Sequence, residues 1–432
     1  MLIRNATLAD GRVRDVRIEG ETIAAVAEDL PAADDEDVLV ATGKRLLPGM
    51  IDVHVHFRQP GFGHKEDWTT GSKAAAAGGV TTVVDQPNTD PPTTTGDAFD
   101  EKAAFARASA VDYGLNGGVT ADWDPDSLFD RPLFALGEVF LADSTGDMGI
   151  DADLFDDAVA RAAAEDVAVT VHAEDADLFA DEALDRPDDD ADAWSAYRTP
   201  EAEAAAVERA GEVAADHDAT VHIAHTSTPE GVDAAVDAGL TCEVTPHHLF
   251  LSRDDLDQLG TYGRMNPPLR SEARRKALFE RLADGTVDVV ATDHAPHTRE
   301  EKDAGIWDAP SGVPGVETAL PLLLAAARDG QLSYERVRDV TATNPAEIFG
   351  LPSKGRVEAG RDADLVLVDP AETRPIRGLD LHSKCGWTPF EGREGVFPEW
   401  TMLRGEVVYD GDANAFAETQ GQNVRDDRAD GA

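Results

Sequence analysis

Cysteine is nearly absent: Cys242 and Cys385 are the only two in 432 residues. Two thiols make neither a disulfide framework nor a Cys-rich ligand motif. That excludes a small disulfide-stapled fold and fits the cytoplasm. No apolar run is long enough to cross a bilayer, and Met1-Leu2-Ile3-Arg4-Asn5-Ala6 lacks the pattern of a signal peptide.

Positive charge is scarce as well. Against 85 acidic residues stand 38 basic ones, a formal net charge of −47, and only eight of the 38 are lysine. Such a field repels nucleic acid and anionic membranes. The acids are interleaved with regular apolar periods, so the chain is a folded protein and not an acidic disordered one. Acid-rich, Lys-poor globular proteins resemble those of salt-accumulating cells, where salt screens the self-repulsion. Structure is therefore expected to be lost at low ionic strength, which far-UV and near-UV circular dichroism in dilute buffer checks.

What is present is organised around Pro48–Gly61. The apolar run from Leu46 to Val55 reads as a buried strand, whose side chains alternate between faces. His54 and His56 therefore point to one side, where the strand ends in a Gln-Pro-Gly turn, and two such imidazoles can chelate one ion. Similar apolar runs recur at 49–55, 80–84, 111–116, 133–141, 167–172, 219–224, 240–245 and 286–292, with Ala-rich acidic stretches between them. Eight strands alternating with helices predict a parallel (β/α)8 TIM barrel over 49–350. A doubly wound open sheet has the same alternation. The barrel is favoured because His54, His56, Glu138, His172, His225 and Asp293 all fall at or just past strand ends, where barrel chemistry sits.

Short alternating runs at both termini predict a small β-sandwich domain assembled from 1–48 and 351–432. The polar stretch from Ala413 is expected to fray.

The polar residues at strand ends suffice for two metals. His54, His56 and Asp293 can hold one and His172 and His225 the other, with a bridging carboxylate completing both. Mixed nitrogen and oxygen donors suit Zn2+, with Mn2+ or Co2+ as substitutes. Two close divalent ions lower the pKa of a shared water toward neutrality.

The chain resembles the cyclic amidohydrolases, and within them most closely the dihydroorotases. The resemblance rests on Asp52–Gly61, Gly79-Val80-Thr81-Thr82, Pro87-Asn88-Thr89, Val171-His172-Ala173-Glu174-Asp175 and His222-Ile223-Ala224-His225. It continues through Glu243-Val244-Thr245-Pro246-His247-His248, Met265-Asn266-Pro267-Pro268, Asp293-His294-Ala295-Pro296-His297 and Ser311–Thr318. It implies reversible closure of N-carbamoyl-L-aspartate to L-dihydroorotate plus water, with His54, His56, His172, His225 and Asp293 as metal ligands. Asp293 also shuttles the proton. Arg58, Asn88 and His297 match contacts to the substrate carboxylate; Asn266, Gly312, Pro314 and Gly315 match ring-binding elements. A small-molecule substrate and a homo-oligomer are expected, with no nucleic-acid or membrane partner. His247 and His248 have a structural or a site role, and His64 is mainly structural. His217, His222 and His382 are assigned to packing or surface.

One part of the pattern breaks. Many relatives bridge their metals with a carboxylated lysine, yet no lysine lies between Lys102 and Lys276. Glu138 stands at the matching position, shorter by roughly 3–4 Å of reach. Either its strand sits closer to the metals, or water bridges, or one ion alone binds tightly; Asp143 is a further candidate. Glu138 is the preferred bridge. Allantoinase, dihydropyrimidinase and a non-catalytic structural relative are the competing readings, and Arg58 argues against the first two.

Overall fold

The computed structural model describes residues 1–142, 148–418 and 421–426; Asp143 lies outside them. Helices start where a side chain can cap the first free N–H groups. Thr199 accepts from Ala202 N–H ahead of Pro200–His217, Thr228 from Gly231 N–H ahead of Pro229–Asp237, and Ser271 from Arg274 N–H ahead of Glu272–Asp284. In the first two, proline occupies the opening turn, where its missing N–H costs nothing.

The eight apolar runs form parallel strands: Met50–Val55, Val80–Asp85, Asp112–Leu115, Leu136–Phe140, Val169–His172, Val221–Ile223, Thr241–Val244 and Val289–Val290. The first three make one sheet and the last five another. Parallel bridges join the two at both seams, Gly117 to Leu136 and Val55 to His294. The sheet thus closes on itself, which an open doubly wound fold does not do. Ile51, Val53, Val84, Val289 and Ala291 from these strands share a cluster with Phe349 and Leu351.

Strands from both termini join in one nine-stranded sheet. Its seam is the antiparallel pairing of Arg45–Pro48 with Leu365–Val368, from Leu365 opposite Pro48 to Val368 opposite Arg45. Ile3, Val16 and Ile18 from one end and Leu365, Leu367 and Met402 from the other bury into a common cluster, as in a sandwich. The expected fraying is corrected for the last described residues. Tyr113 N–H donates to Gln422 O and Val424 N–H to Tyr113 O, so the chain returns to the edge of the third barrel strand. Arg425 fixes it there by donating to Phe349 O.

Candidate metal centre

His54 lies in the first barrel strand and His56 one residue beyond it, their ring centroids 5.2 Å apart. Glu138 comes from the fourth strand and His172 ends the fifth, while His225 and Asp293 follow the sixth and eighth. His225, Asp293 and nearby Arg58 adopt left-handed backbone, with φ of 33°, 44° and 65°. Such conformations cost about 1–3 kcal/mol each and cluster where side chains must be aimed.

The carboxylate of Glu138 is the common point. Its Oε1 lies 2.6 Å from His225 Nε2 and 2.9 Å from His172 Nδ1, and its Oε2 lies 3.4 Å from His54 Nε2. The two nitrogens that share Oε1 are 3.0 Å from each other. Asp293 Oδ1 is 3.0 Å from His56 Nε2 and 3.6 Å from His54 Nε2. Two trios of donors result, His54–His56–Glu138 and Glu138–His172–His225, both buried. His54 Nε2 has no hydrogen-bond partner among the described residues. Lone pairs converging in this way, with one buried nitrogen orphaned, fit divalent cations. A mixed nitrogen and oxygen donor set suits Zn2+.

Glu138 meets His172 and His225 because its strand packs tightly on its neighbour. A Cβ on Gly137 would lie 2.2 Å from Thr170 O, so only glycine lets the fourth strand press this closely on the fifth. Both charged states are favoured here. Burial would raise the Glu138 pKa, but the charges of His225 and His54 hold it well below the usual range. Burial opposes ionisation of Asp293 too, and the His56 hydrogen bond and His54 charge draw it down to about 2.

A second layer escaped the sequence reading. Glu243 Oε1 sits 2.6 Å from His54 Nδ1 and accepts from the His225 backbone N–H. Glu174 Oε2 sits 2.9 Å from His172 Nε2 and pairs with Arg198. Asn88 Oδ1 is 2.7 Å from His56 Nδ1. Acceptors of this kind fix which imidazole nitrogen is free for an ion. The signal was the carboxylate two residues after His172, on the same strand face. Glu243, 18 positions from His225 and 50 or more from each of the other five, offered none. His222, assigned to packing, lies 3.3 Å from Glu243 Oε2 and helps orient it.

Above the donors lies a narrow, partly open cavity lined by His56, Arg58, Asn88, Glu138, Asn266, Asp293, Ser311 and Gly312. Arg58 is 3% exposed. It donates to Pro296 O at 3.3 Å, and no carboxylate lies within 4 Å of its guanidinium among the described residues. Burial brings its pKa down to about 10. Three further residues were expected at the substrate: His297, Pro314 and Gly315. His297 is wholly buried and lies behind Arg58, its Nε2–H donating to Ser311 O at 2.9 Å because Lys65 occupies Nδ1. Pro314 and Gly315 do not line the cavity, and Gly315 N–H is committed to His294 Nδ1.

The remaining histidines separate by their partners. His248 is satisfied at both nitrogens by Thr245 and Pro267 O, a structural role. Burial lowers the pKa of His247 to about 4. His64 is exposed near Glu301.

Residues 45–408 match the amidohydrolase family model. A curated dihydroorotase of Halobacterium salinarum is 72% identical over 98% of this chain and 99% of its own length. One of Methanosarcina acetivorans is 46% identical over 92% and 89%. Among solved structures, the L-hydantoinase (dihydropyrimidinase) of Arthrobacter aurescens superposes with a TM-score of 0.92 at 29% identity, covering 97% of this chain and 98% of its own. The dihydropyrimidinase of Brevibacillus agri reaches 0.89 at 30%, covering 98% of each. With a closed parallel barrel and a histidine–carboxylate centre at its C-terminal rim, the chain belongs to the amidohydrolase family.

Proposed function

We propose that this protein is a dihydroorotase, closing N-carbamoyl-L-aspartate to L-dihydroorotate plus water and reversing that step. One observation carries the choice within the family: a buried Arg58 beside the donor cluster, with no carboxylate within 4 Å of its guanidinium among the described residues. A desolvated guanidinium is costly unless an anion meets it, and its fork suits a substrate carboxylate. Hydantoins and dihydropyrimidines carry no carboxylate on the ring itself. The curated relatives point the same way.

His54, His56 and Asp293 would hold one ion and His172 and His225 the other, with Glu138 shared; Zn2+ suits the set. When bound, such a pair acidifies water and polarises a carbonyl. The chain's own residues do the rest. Arg58 fixes the substrate carboxylate and hence which ring amide faces Glu138 and Asp293. In the hydrolytic direction a water oxygen bonds to the ring carbonyl carbon while the ring C–N bond breaks. Asp293, ionised at neutral pH, takes the water proton and returns it to the departing nitrogen. Asn88 and Glu243 hold the imidazoles of His56 and His54 in one tautomer.

No described helix is long and apolar enough to cross a membrane; the same reading makes the protein a cytoplasmic homo-oligomer, which light scattering of the purified protein checks. The deciding experiment measures metal content beside turnover of L-dihydroorotate, allantoin and dihydrouracil in high salt. Turnover of the first alone, with bound metal, is expected. Turnover of a neutral ring and not of dihydroorotate would overturn the assignment.

A further inference from the structure

Lys302 ends the short helix Arg299–Lys302 and is fully buried. Its ammonium donates to three backbone carbonyls: Pro310 O at 2.8 Å, Arg264 O at 2.9 Å and Gly312 O at 3.2 Å. Among the described residues no carboxylate lies within 4 Å of it, although acidic residues outnumber basic ones 85 to 38. A neutral donor would tie the same carbonyls at a smaller desolvation cost. Burial pushes its pKa well below the ordinary lysine value, so a lysine here needs a reason.

The carbonyls it grips belong to two separate loops, and those loops build one wall of the cavity. Arg264 leads into Asn266, and Pro310 and Gly312 bracket Ser311; Asn266, Ser311 and Gly312 all line the cavity. Gly312 N–H also donates to Arg264 O, and Ser311 Oγ–H donates to Asn266 Oδ1 at 3.2 Å. His297 Nε2–H takes Ser311 O, so three consecutive carbonyls, 310 to 312, are occupied by groups lying behind the wall. A Cβ on Gly312 would fall 2.5 Å from Ala295 O, so only glycine lets this loop pack so closely there. Backbone can hold a ligand group only as well as it is held itself.

We infer that Lys302 is a positioning residue for substrate, stapling the 264–266 and 310–312 loops into one wall. This rests on the dihydroorotase reading of the cavity. Because Lys302 touches none of the imidazoles or carboxylates of the metal centre, its loss acts on binding and not on the reacting atoms.

The test compares Lys302→Met, Lys302→Gln and Lys302→Arg with the unaltered metal-loaded protein in high salt. Lys302→Met, of similar length without donors, is expected to keep its near-UV circular dichroism and metal content. Its KM for both L-dihydroorotate and N-carbamoyl-L-aspartate should rise by about tenfold, with kcat within about threefold of the parent. Lys302→Gln should show a smaller rise, and Lys302→Arg should recover most of the parental KM. An unchanged KM in a folded Met variant overturns the inference, as does a fall in kcat alone. So does failure of both neutral variants to fold, which would assign Lys302 to stability. If the parent itself does not turn over dihydroorotate, the functional reading fails first, whatever the variants do.

Discussion

The floor and the wall of the cavity are built from opposite charges. On the floor, imidazoles face carboxylates: Glu138 is shared by His54, His172 and His225, and Asp293 faces His56. On the wall, Arg58 and Lys302 are buried with backbone carbonyls among their partners, and among the described residues no carboxylate lies within 4 Å of either. Net negative charge gathered on donors draws in cations; net positive charge left uncompensated draws in an anion. The floor rides on strand ends, whose ladder hydrogen bonds fix it, and the wall on loops that need staples. Adjacent sites of opposite sign suit a substrate with an amide to polarise and a carboxylate to anchor.

Each side can be broken without the other. Glu138→Ala removes the shared donor, so metal content and dihydroorotate turnover should fall together, turnover by about a thousandfold or more. Elemental analysis showing unchanged metal would sink the bridging role. Arg58→Met should leave the metal in place and raise KM for both carboxylate substrates by about a hundredfold, the value of a bidentate charged contact. A parental KM there would erase the distinction between floor and wall. Glu174→Gln loosens the support of His172 alone, and metal affinity measured by chelator competition should drop about tenfold.

The smallest effect lies outside both regions. Glu317 Oε1, 2.9 Å from His382 Nδ1, holds that imidazole above its ordinary 6.5 through their hydrogen bond. A raised folded value means the stabilisation is complete below the ordinary pKa and is lost as pH rises through the folded one. Glu317→Gln should therefore lower stability by about 1 kcal/mol or less below the ordinary histidine pKa, the gap closing as pH rises through the folded one. A gap that widens with pH in urea titrations would reverse the assignment.

Much of the floor was legible from residue type and place. Histidines two apart on an apolar run must share a strand face, and strand ends in a barrel must converge. The wall was legible only in part. Arg58 followed from its position beside His56, whereas His297, Pro314 and Gly315 were expected at the substrate on resemblance alone. Loops carry no periodicity, so nothing local says whether a side chain or its carbonyl turns to the cavity. The roles of Lys302 and Glu243 were not read from the sequence, since their partners meet them only through the fold.

By itself the sequence determined the alternation of strands and helices, the joining of the two termini in one sheet and the six donors, because periodicity and residue chemistry are local properties. Closure of the barrel, the reach of Glu138 and the grip of Lys302 were decided by tertiary structure. Each depends on how closely separate segments approach, down to a missing Cβ at Gly137, and no pattern along one chain records such a distance.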